Sequence, residues 1–382
     1  MSSVKGDYLV SALVSAYNSE KFIRGCLEDL KAQSFAGKLE IIVIDSGSEQ
    51  NEAAVVRELQ QTFPSIVYIH TQERETLYAA WNRGIRAARG AYLTSANTDD
   101  RHRADALEIM SGALEDHPEA DLVYADCYAT SVPNEPFDRN DHAVRYRYPD
   151  YFPPLALLHF LFSPQPVWRK EVHARIGYFD ESYHASGDYE FNLRFALNGL
   201  KALHLAEPLG LYLTHPGAIS STARMAEENR RISSLYMTFE NIERAYRAAG
   251  CPSGSHKEKS SVMTDFGTRA LEYYPPWNRG RKEINAALAL QSLAKAVEID
   301  PGNIAALNNM AVAVYSTGDR RMALQVLEHA CAVAVCDTVL HNVHVLKSGE
   351  GGLALMDPGL GLPSQKELYR IPDTIGVSTP PQ

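Results

Sequence analysis

Ala91-Tyr92-Leu93-Thr94-Ser95-Ala96-Asn97-Thr98-Asp99-Asp100 is the stretch whose reading decides the fold. Tyr92 to Ala96 is a short apolar run, as a buried strand would be. It ends in four polar residues, Asn97 to Asp100. The helical spacing of Leu107, Met110 and Leu114 predicts that an amphipathic helix follows at once. Two adjacent carboxylates at the end of a strand are costly unless their charge is compensated. Hard oxygen ligands of this kind suit Mg2+ or Mn2+, and the carboxyl edge of an open α/β sheet is where ligands bind. A helix-capping turn uses the same residue types, so the neighbouring sequence must discriminate.

Upstream, the same arrangement repeats. Tyr8 to Val14 is a β-rich run ending at Ser15-Ala16-Tyr17-Asn18, and Phe22, Ile23, Cys26, Leu27 and Leu30 then fall on one helical face, with Ser19 as the expected N-cap. Leu39 to Ile44 is continuously apolar, as in a parallel strand covered on both faces, and ends at Asp45-Ser46-Gly47-Ser48. Val55, Val56, Leu59 and Phe63 mark a second helix, and Ser65 to His70 a third strand. Leu77, Trp81, Ile85 and Ala88 mark a third helix, expected to close at Gly90. This alternation predicts a mostly parallel sheet built from right-handed crossovers. The first strand is not followed by Gly-x-Gly-x-x-Gly, which argues against ordinary dinucleotide binding. Instead, three strand ends offer polar groups on one edge: Tyr17 and Asn18, Asp45, and Asn97 to Asp100.

Downstream, Asp121 to Thr130 reads as a strand. Residues 131–150 break the pattern; within them Arg145-Tyr146-Arg147-Tyr148 reads as an exposed strand with one apolar and one basic face, the alternative being a loop that stacks on a sugar or clasps an anionic group. Leu155 to Phe162 reads as an apolar helix. Ser186-Gly187-Asp188-Tyr189-Glu190 opens another, where acids also suit the helix dipole. A strand at Lys201 to Ala206 and the segment Leu211 to Ser221 complete this half. Met225 to Gly250 then reads as helical, with Leu235, Phe239, Ile242 and Tyr246 on one face. Cys251 to Ser261 reads as a linker, and from Ile284 the chain is rich in Ala and Leu.

Composition narrows the function. Net charge is −10 with no long basic run, so nucleic acid is not the expected partner. The five cysteines are scattered without a CxxC pair, unlike a disulfide framework or a zinc site. No apolar run is long enough to span a membrane, and Met1 to Asp7 carries no signal-like apolar region. A soluble cytoplasmic protein is expected, and 382 residues suffice for two domains.

The ordered motifs carry a resemblance. They are Val14-Ser-Ala-Tyr-Asn18, Ile42-Val-Ile-Asp45-Ser-Gly-Ser48, Trp81-Asn-Arg-Gly-Ile85, Ala88-Arg-Gly-Ala-Tyr92 leading to Asn97-Thr-Asp-Asp100, Gly177-Tyr-Phe-Asp180, and Gly187-Asp-Tyr-Glu-Phe-Asn-Leu-Arg194. Each is weak alone. In this order and spacing, from Tyr8 to Ser221, they resemble the family-two glycosyltransferases of the type A fold. The resemblance implies an α/β fold: a Rossmann-like nucleotide-diphospho-sugar transferase domain with a mostly parallel sheet. It implies an inverting transfer of sugar from a nucleotide-diphosphate donor to an acceptor hydroxyl on a glycan, a lipid-linked sugar or a protein. Ala16, Tyr17, Asn18 and Asp45 would hold base and ribose, with Asn82 and Arg83 beside the nucleotide. Asp99 would bind Mn2+ or Mg2+, with Asp100 and the neighbouring Asn97 in support. Asp188 would be the general base, and His215 and Ser220 would close over the diphosphate. A loop histidine bonded to backbone is the alternative for His215. The chain departs from the family's pattern at Asn97, where an acid is common, and at Gly187, where glutamate often precedes the base.

A second resemblance lies further on. Ala287 to Asn303, with its Asp300-Pro301 stop, and the pair Ala306 to Tyr315 and Gly318 to Ala330 resemble tetratricopeptide repeats. This implies an all-α tetratricopeptide-like domain, binding either a protein partner or a second copy of the chain. The expected division is a catalytic domain at 1–222, a helical connector at 223–280, repeats at 281–346 and an irregular tail at 347–382. Two other readings remain. A sugar nucleotidyltransferase would want a Gly-rich basic loop where Ser15 to Glu20 stands. A repeat-bearing scaffold with an inactive transferase domain has no need of Asp45, Asp99, Asp100 and Asp188 together.

Overall fold

The computed structural model describes residues 8–215, 222–272 and 282–370. Ser220 and the rest of the 216–221 segment, the N-terminal seven residues and the end of the tail lie outside them. The chain divides into two compact units, one of residues 1–151 and 160–234, the other of residues 152–159 and 235–382.

The first unit runs β1 (Val10–Ala16), α1 (Glu20–Lys31), β2 (Leu39–Ser46), α2 (Glu52–Gln60), β3 (Ile66–Thr71), α3 (Leu77–Ala87) and β4 (Tyr92–Ser95). It continues with β5 (Arg101–His102), α4 (Ala106–Asp116), β6 (Leu122–Thr130) and β7 (Arg145–Tyr146). After α5 (Pro153–Ala156), which belongs to the second unit, come β8 (Val167–Arg169), α6 (Val172–Ile176), α7 (Gly187–Leu197), β9 (Ala202–Leu213) and α8 (Ala223–Tyr236). The sheet order is β3-β2-β1-β4-β8-β6-β9-β5, with β7 beside β6.

The first half matches the sequence reading. β3, β2, β1 and β4 are parallel, and the register sets Ala16 opposite Asp45 and Leu13 opposite Ser95. Alternation explains the unbroken apolar runs. Val10, Ala12, Val14, Leu39, Ile41 and Val43 join one core with Ile23, Leu27, Leu30, Val56 and Leu107 from α1, α2 and α4. Leu13 and Ile44 face the other way and pack under α3, close against Gly84. Each fully buried Leu or Ile contributes about 1.5–3 kcal/mol.

The second half departs from a mostly parallel sheet. β8 runs antiparallel to both β4 and β6, β5 antiparallel to β9, and β7 antiparallel to β6, while β6 and β9 are parallel. The sheet is therefore mixed. No helix follows Asp100 at once, because β5 intervenes and Arg101 and His102 pair with Leu211 and Gly210 of β9. The helix starts only at Ala106, with Asp105 as its N-cap. Other boundaries also move. α3 caps at Ala88, short of Gly90, and Ser19 stands at the N-cap of α1 without a side-chain cap bond. The 155–162 helix shrinks to Pro153–Ala156. Arg145 and Tyr146 do form an edge strand, and Arg145 is tied to Asp126 at 2.6 Å.

The second unit is helical: α5, α9 (Phe239–Ala248), α10 (His256–Leu271), α11 (Lys282–Ile299), α12 (Ile304–Ser316), α13 (Arg320–Val333), α14 (Asp337–Ser348) and α15 (Gln365–Leu368). Helices α10 to α14 pack each against the next. The stretch 225–250 is helical as expected but is divided in two, because Thr238 accepts from the Asn241 N–H and starts α9. Leu235 and Phe239 are exposed while Ile242 and Tyr246 are buried, so the expected common face does not exist. The expected linker at 251–261 contains the start of α10, fixed by a capping box between Ser255 and Glu258.

Candidate active site

The carboxyl edge of β2, β1 and β4 gathers the sequence candidates into three groups. In the first, Asp45 ends β2 and is almost fully buried. Burial alone would raise its pKa. The hydrogen bonds from Tyr68 Oη at 2.5 Å and the Ser48 N–H at 3.0 Å, with His70 at 3.4 Å, outweigh it and hold the carboxyl below its usual range. Asn18 adopts a left-handed backbone, donates its N–H to Ser48 Oγ at 3.1 Å and accepts the Glu49 N–H at 2.9 Å. The ends of β1 and β2 are thus cross-bonded next to Ala16. Tyr17 is exposed beside them, with the Arg74 guanidinium 4.0 Å above its ring.

The second group is the turn after β4. Asp100 is buried, accepting the Leu213 N–H at 3.2 Å on one oxygen and Asn97 Nδ2 at 3.3 Å on the other. Burial, then the negative charge of Asp99, push its carboxyl up to about 8. Asp99 is the half-exposed member, with His215 Nε2 at 3.7 Å. The pair is therefore asymmetric: Asp100 is built into the turn, and Asp99 is presented outward. Arg101 fixes the backbone on either side, donating to the carbonyls of Thr98 at 3.0 Å and Asp100 at 2.7 Å, and bonding Asn134. Among the described residues no three acidic, His or Cys side chains gather into a metal cage. One exposed carboxylate with a nearby imidazole instead fits a cation that arrives with its phosphates, as Mg2+ and Mn2+ commonly do.

The third group surrounds Asp188 in the first turn of α7. Tyr78 Oη donates to Asp188 Oδ1 at 3.1 Å, and the Tyr189 N–H donates to the same oxygen at 2.8 Å. Neither bond engages Oδ2. Burial, opposed by these bonds, pushes the carboxyl up to about 6. Tyr78 opens α3, directly after the loop that leaves the carboxyl end of β3, so its bond brings Asp188 to the same sheet edge as the other two groups. Tyr78 is rooted in an aromatic cluster with Trp81 at 5.5 Å and Phe179 at 5.9 Å between ring centroids.

Tyr78 and Glu228 of this group were invisible in the motif pattern. Glu228 of α8 accepts the N–H groups of His184, Ala185 and Ser186 at 2.8–2.9 Å, holding the loop that feeds Asp188. Only its place four residues past Arg224, in a stretch read simply as helix, was on view. Gly187 is forced by Tyr78, since a Cβ there would lie 2.7 Å from the ring. Gly187→Ala is expected to cost about 1–3 kcal/mol of stability through overpacking. An unchanged melting temperature would refute the close contact.

Asn82 and Arg83 are spent elsewhere. Asn82 is buried, bonding the backbone of Phe179 through both its amide atoms at 2.8 and 3.0 Å and Glu181 at 2.8 Å. Arg83 pairs with Glu75. Neither joins the three groups; Asn82 instead pins Phe179 beneath Tyr78.

Residues 11–177 match the family Glycosyl transferase family 2. EpsH of Bacillus subtilis (strain 168), named as a glycosyltransferase, is 38% identical over 114 residues, 30% of this chain and 32% of its own. The glycosyltransferase YibD of Escherichia coli (strain K12) is 26% identical over 248 residues, 61% of this chain and 69% of its own. The chain thus spans about a third of the first relative and about two thirds of the second. Among solved structures, Staphylococcus aureus TarS 1–349 in complex with UDP superposes with a TM-score of 0.50 at 15% identity, over 90% of this chain and 92% of that one. A longer TarS structure gives 0.51 at 15% identity, over 89% and 55%. At this identity the likeness speaks to the fold. The motif order and the sheet edge it builds agree with the similarity of residues 11–177 to Glycosyl transferase family 2.

Proposed function

We propose that the chain moves a sugar from a nucleotide-diphosphate donor to an acceptor hydroxyl with inversion at the anomeric carbon. The observation that carries this reading is Asp188: a carboxylate with one oxygen fixed, its pKa raised to about 6, on the sheet edge that also bears Asp45 and Asp99. In this reading Ala16, Tyr17, Asn18 and Asp45 receive the nucleoside. Tyr17 offers a ring face for a base, and Asp45, kept ionised, accepts from donor N–H or O–H groups. Asp99, beside His215, receives the diphosphate together with its divalent cation. That cation, Mn2+ or Mg2+, would offset charge as the diphosphate leaves. Asp100 and Asn97 hold the turn, Asn82 acts only through Phe179 beneath Tyr78, and Arg83, paired with Glu75, lies beside the nucleotide in this reading. Asp188 Oδ2 takes the proton of the acceptor hydroxyl as its oxygen attacks the anomeric carbon opposite the departing diphosphate.

The complex of a protein of this fold with UDP supports starting with uridine donors. The helical second unit is read as tetratricopeptide-like, a surface for an acceptor protein, another partner or a second copy. Among the described residues no helix is long and apolar enough to cross a membrane; the scattered cysteines support a cytoplasmic site. The test is a melting-temperature screen with UDP-, GDP- and TDP-sugars, with and without Mn2+, followed by donor hydrolysis. A metal-dependent rise of several degrees with one donor, and its turnover, is expected. Neither binding nor hydrolysis of any donor would favour the inactive scaffold.

A further inference from the structure

In the second unit, residues 349–364 form neither helix nor strand, yet part of this stretch is gripped. Asn342 of α14 meets both backbone groups of Ala354: its Oδ1 accepts the N–H at 2.7 Å and its Nδ2 donates to the C=O at 2.8 Å. Asn309 of α12 does the same to Met356, at 2.7 and 2.8 Å. Asn308 adds a bond to the Ala354 C=O at 3.0 Å and accepts from Asn342 at 2.9 Å. One step earlier, His341 Nε2 lies 3.0 Å from the Gly352 C=O. The contacts fall on residues 352, 354 and 356, the two-residue period of an extended chain. A carboxamide that pairs with both groups of a residue does what a neighbouring strand would do.

The three asparagine side chains are fully buried. Buried amides without partners are costly, so this row is built to face a backbone. The strip itself is held differently from a core segment. Leu353, Ala354, Leu355 and Met356 are only half-buried and Asp357 is exposed. Leu353 and Met356 pack against the helical core, and the asparagines hold the peptide groups, which every polypeptide shares. Gly351 and Gly359, both with positive φ at 91° and 75°, bracket it.

We propose that this asparagine row is a receptor groove for an extended segment of a separate protein, and that residues 352–356 occupy it in cis until that segment displaces them. The groove fits an uncharged stretch of small and aliphatic residues, of the kind Gly352-Leu353-Ala354-Leu355-Met356 presents. The inference stands apart from the transferase reading and is read out by binding, not turnover.

The test uses the full chain carrying Ala354→Pro and Met356→Pro. Proline has no N–H, so the strip loses both donors while the asparagines stay. A fluorescent peptide with the sequence of residues 350–359 should bind this variant at least tenfold more tightly than it binds the wild type. Adding Asn309→Ala should reverse the gain. A folded double variant that binds no better than wild type, or a gain indifferent to Asn309→Ala, would make the strip a fixed part of the helical unit. If the double variant does not fold, hydrogen exchange on the wild-type chain decides. Excess unlabelled peptide should strip protection from the Ala354 and Met356 amides, and unchanged protection overturns the proposal. A released variant that dimerises in light scattering, with the peptide excluded, would assign the groove to a second copy of the chain instead.

Discussion

Asp99→Ala is expected to lower donor turnover on the order of 1,000-fold and to abolish the extra thermal stabilisation that Mn2+ adds to a bound sugar nucleotide. The magnitude corresponds to several kcal/mol of leaving-group charge left uncompensated. The geometry makes the neighbour a control. Asp100 is buried, its carboxyl is pushed up to about 8, and both its oxygens are committed to Leu213 and Asn97. Asp100→Asn keeps the size of the side chain and an acceptor oxygen for one of these two N–H groups. That variant should retain most of the metal response and lose turnover far less. Steady-state hydrolysis with a Mn2+ titration separates the two. Equal loss in both variants, or wild-type activity in Asp99→Ala, would remove Asp99 from the donor site.

Asp188→Asn is expected to cut transfer by about 100- to 10,000-fold, the usual worth of a positioned base, with the donor KM nearly unchanged. A base must be deprotonated to act. Since burial raises the Asp188 carboxyl to about 6, transfer should rise with pH through about 6 and level off above it. The hydrogen bond from Tyr78 favours the ionised form. Tyr78→Phe removes it, so the rising limb should move to higher pH while the plateau changes less. A pH profile recorded on both variants checks the sign. A limb that stays in place in Tyr78→Phe, or a full-rate Asp188→Asn enzyme, would assign the base to another residue.

Much of the first half of the fold was legible because each local signal agreed with burial. The apolar runs at Leu39 to Ile44 and Tyr92 to Ala96 became strands covered on both faces, and the five apolar residues of α1 are its buried ones. Short pairings were not legible. β5 has two residues and β8 three, too few to show any period, so the turn after Asp100 was read as running straight into a helix. Thr238 and Ser255 act as caps through single hydroxyl bonds that a hydrophobic pattern passes over. At the site, the motif order singled out Asp45 and the Asp99–Asp100 turn, which parallel strands deliver to a common edge, and Asp188, which reaches that edge through its bond to Tyr78. It could not separate Asn82, whose amide closes on Phe179, from a residue free to meet a ligand. It also passed over Tyr78, which looked like one more aromatic on a helix, and Glu228, which accepts backbone N–H groups. The asparagines of α12 and α14 read as ordinary helix positions until a distant strip lay against them.

The contact between Gly187 and the Tyr78 ring reaches beyond this one chain. Two positions more than a hundred residues apart in sequence share one small volume, and one of them adjoins Asp188, which the other bonds. Neither can drift alone. A lineage that places a glutamate ahead of its base must have shrunk or re-aimed the residue at position 78, and a lineage that keeps the tyrosine must keep the glycine. Positions 78 and 187 are therefore expected to covary among relatives. Which member of that pair a homologue has chosen should indicate, from its sequence alone, whether its base is tuned by a phenol or by a second carboxylate.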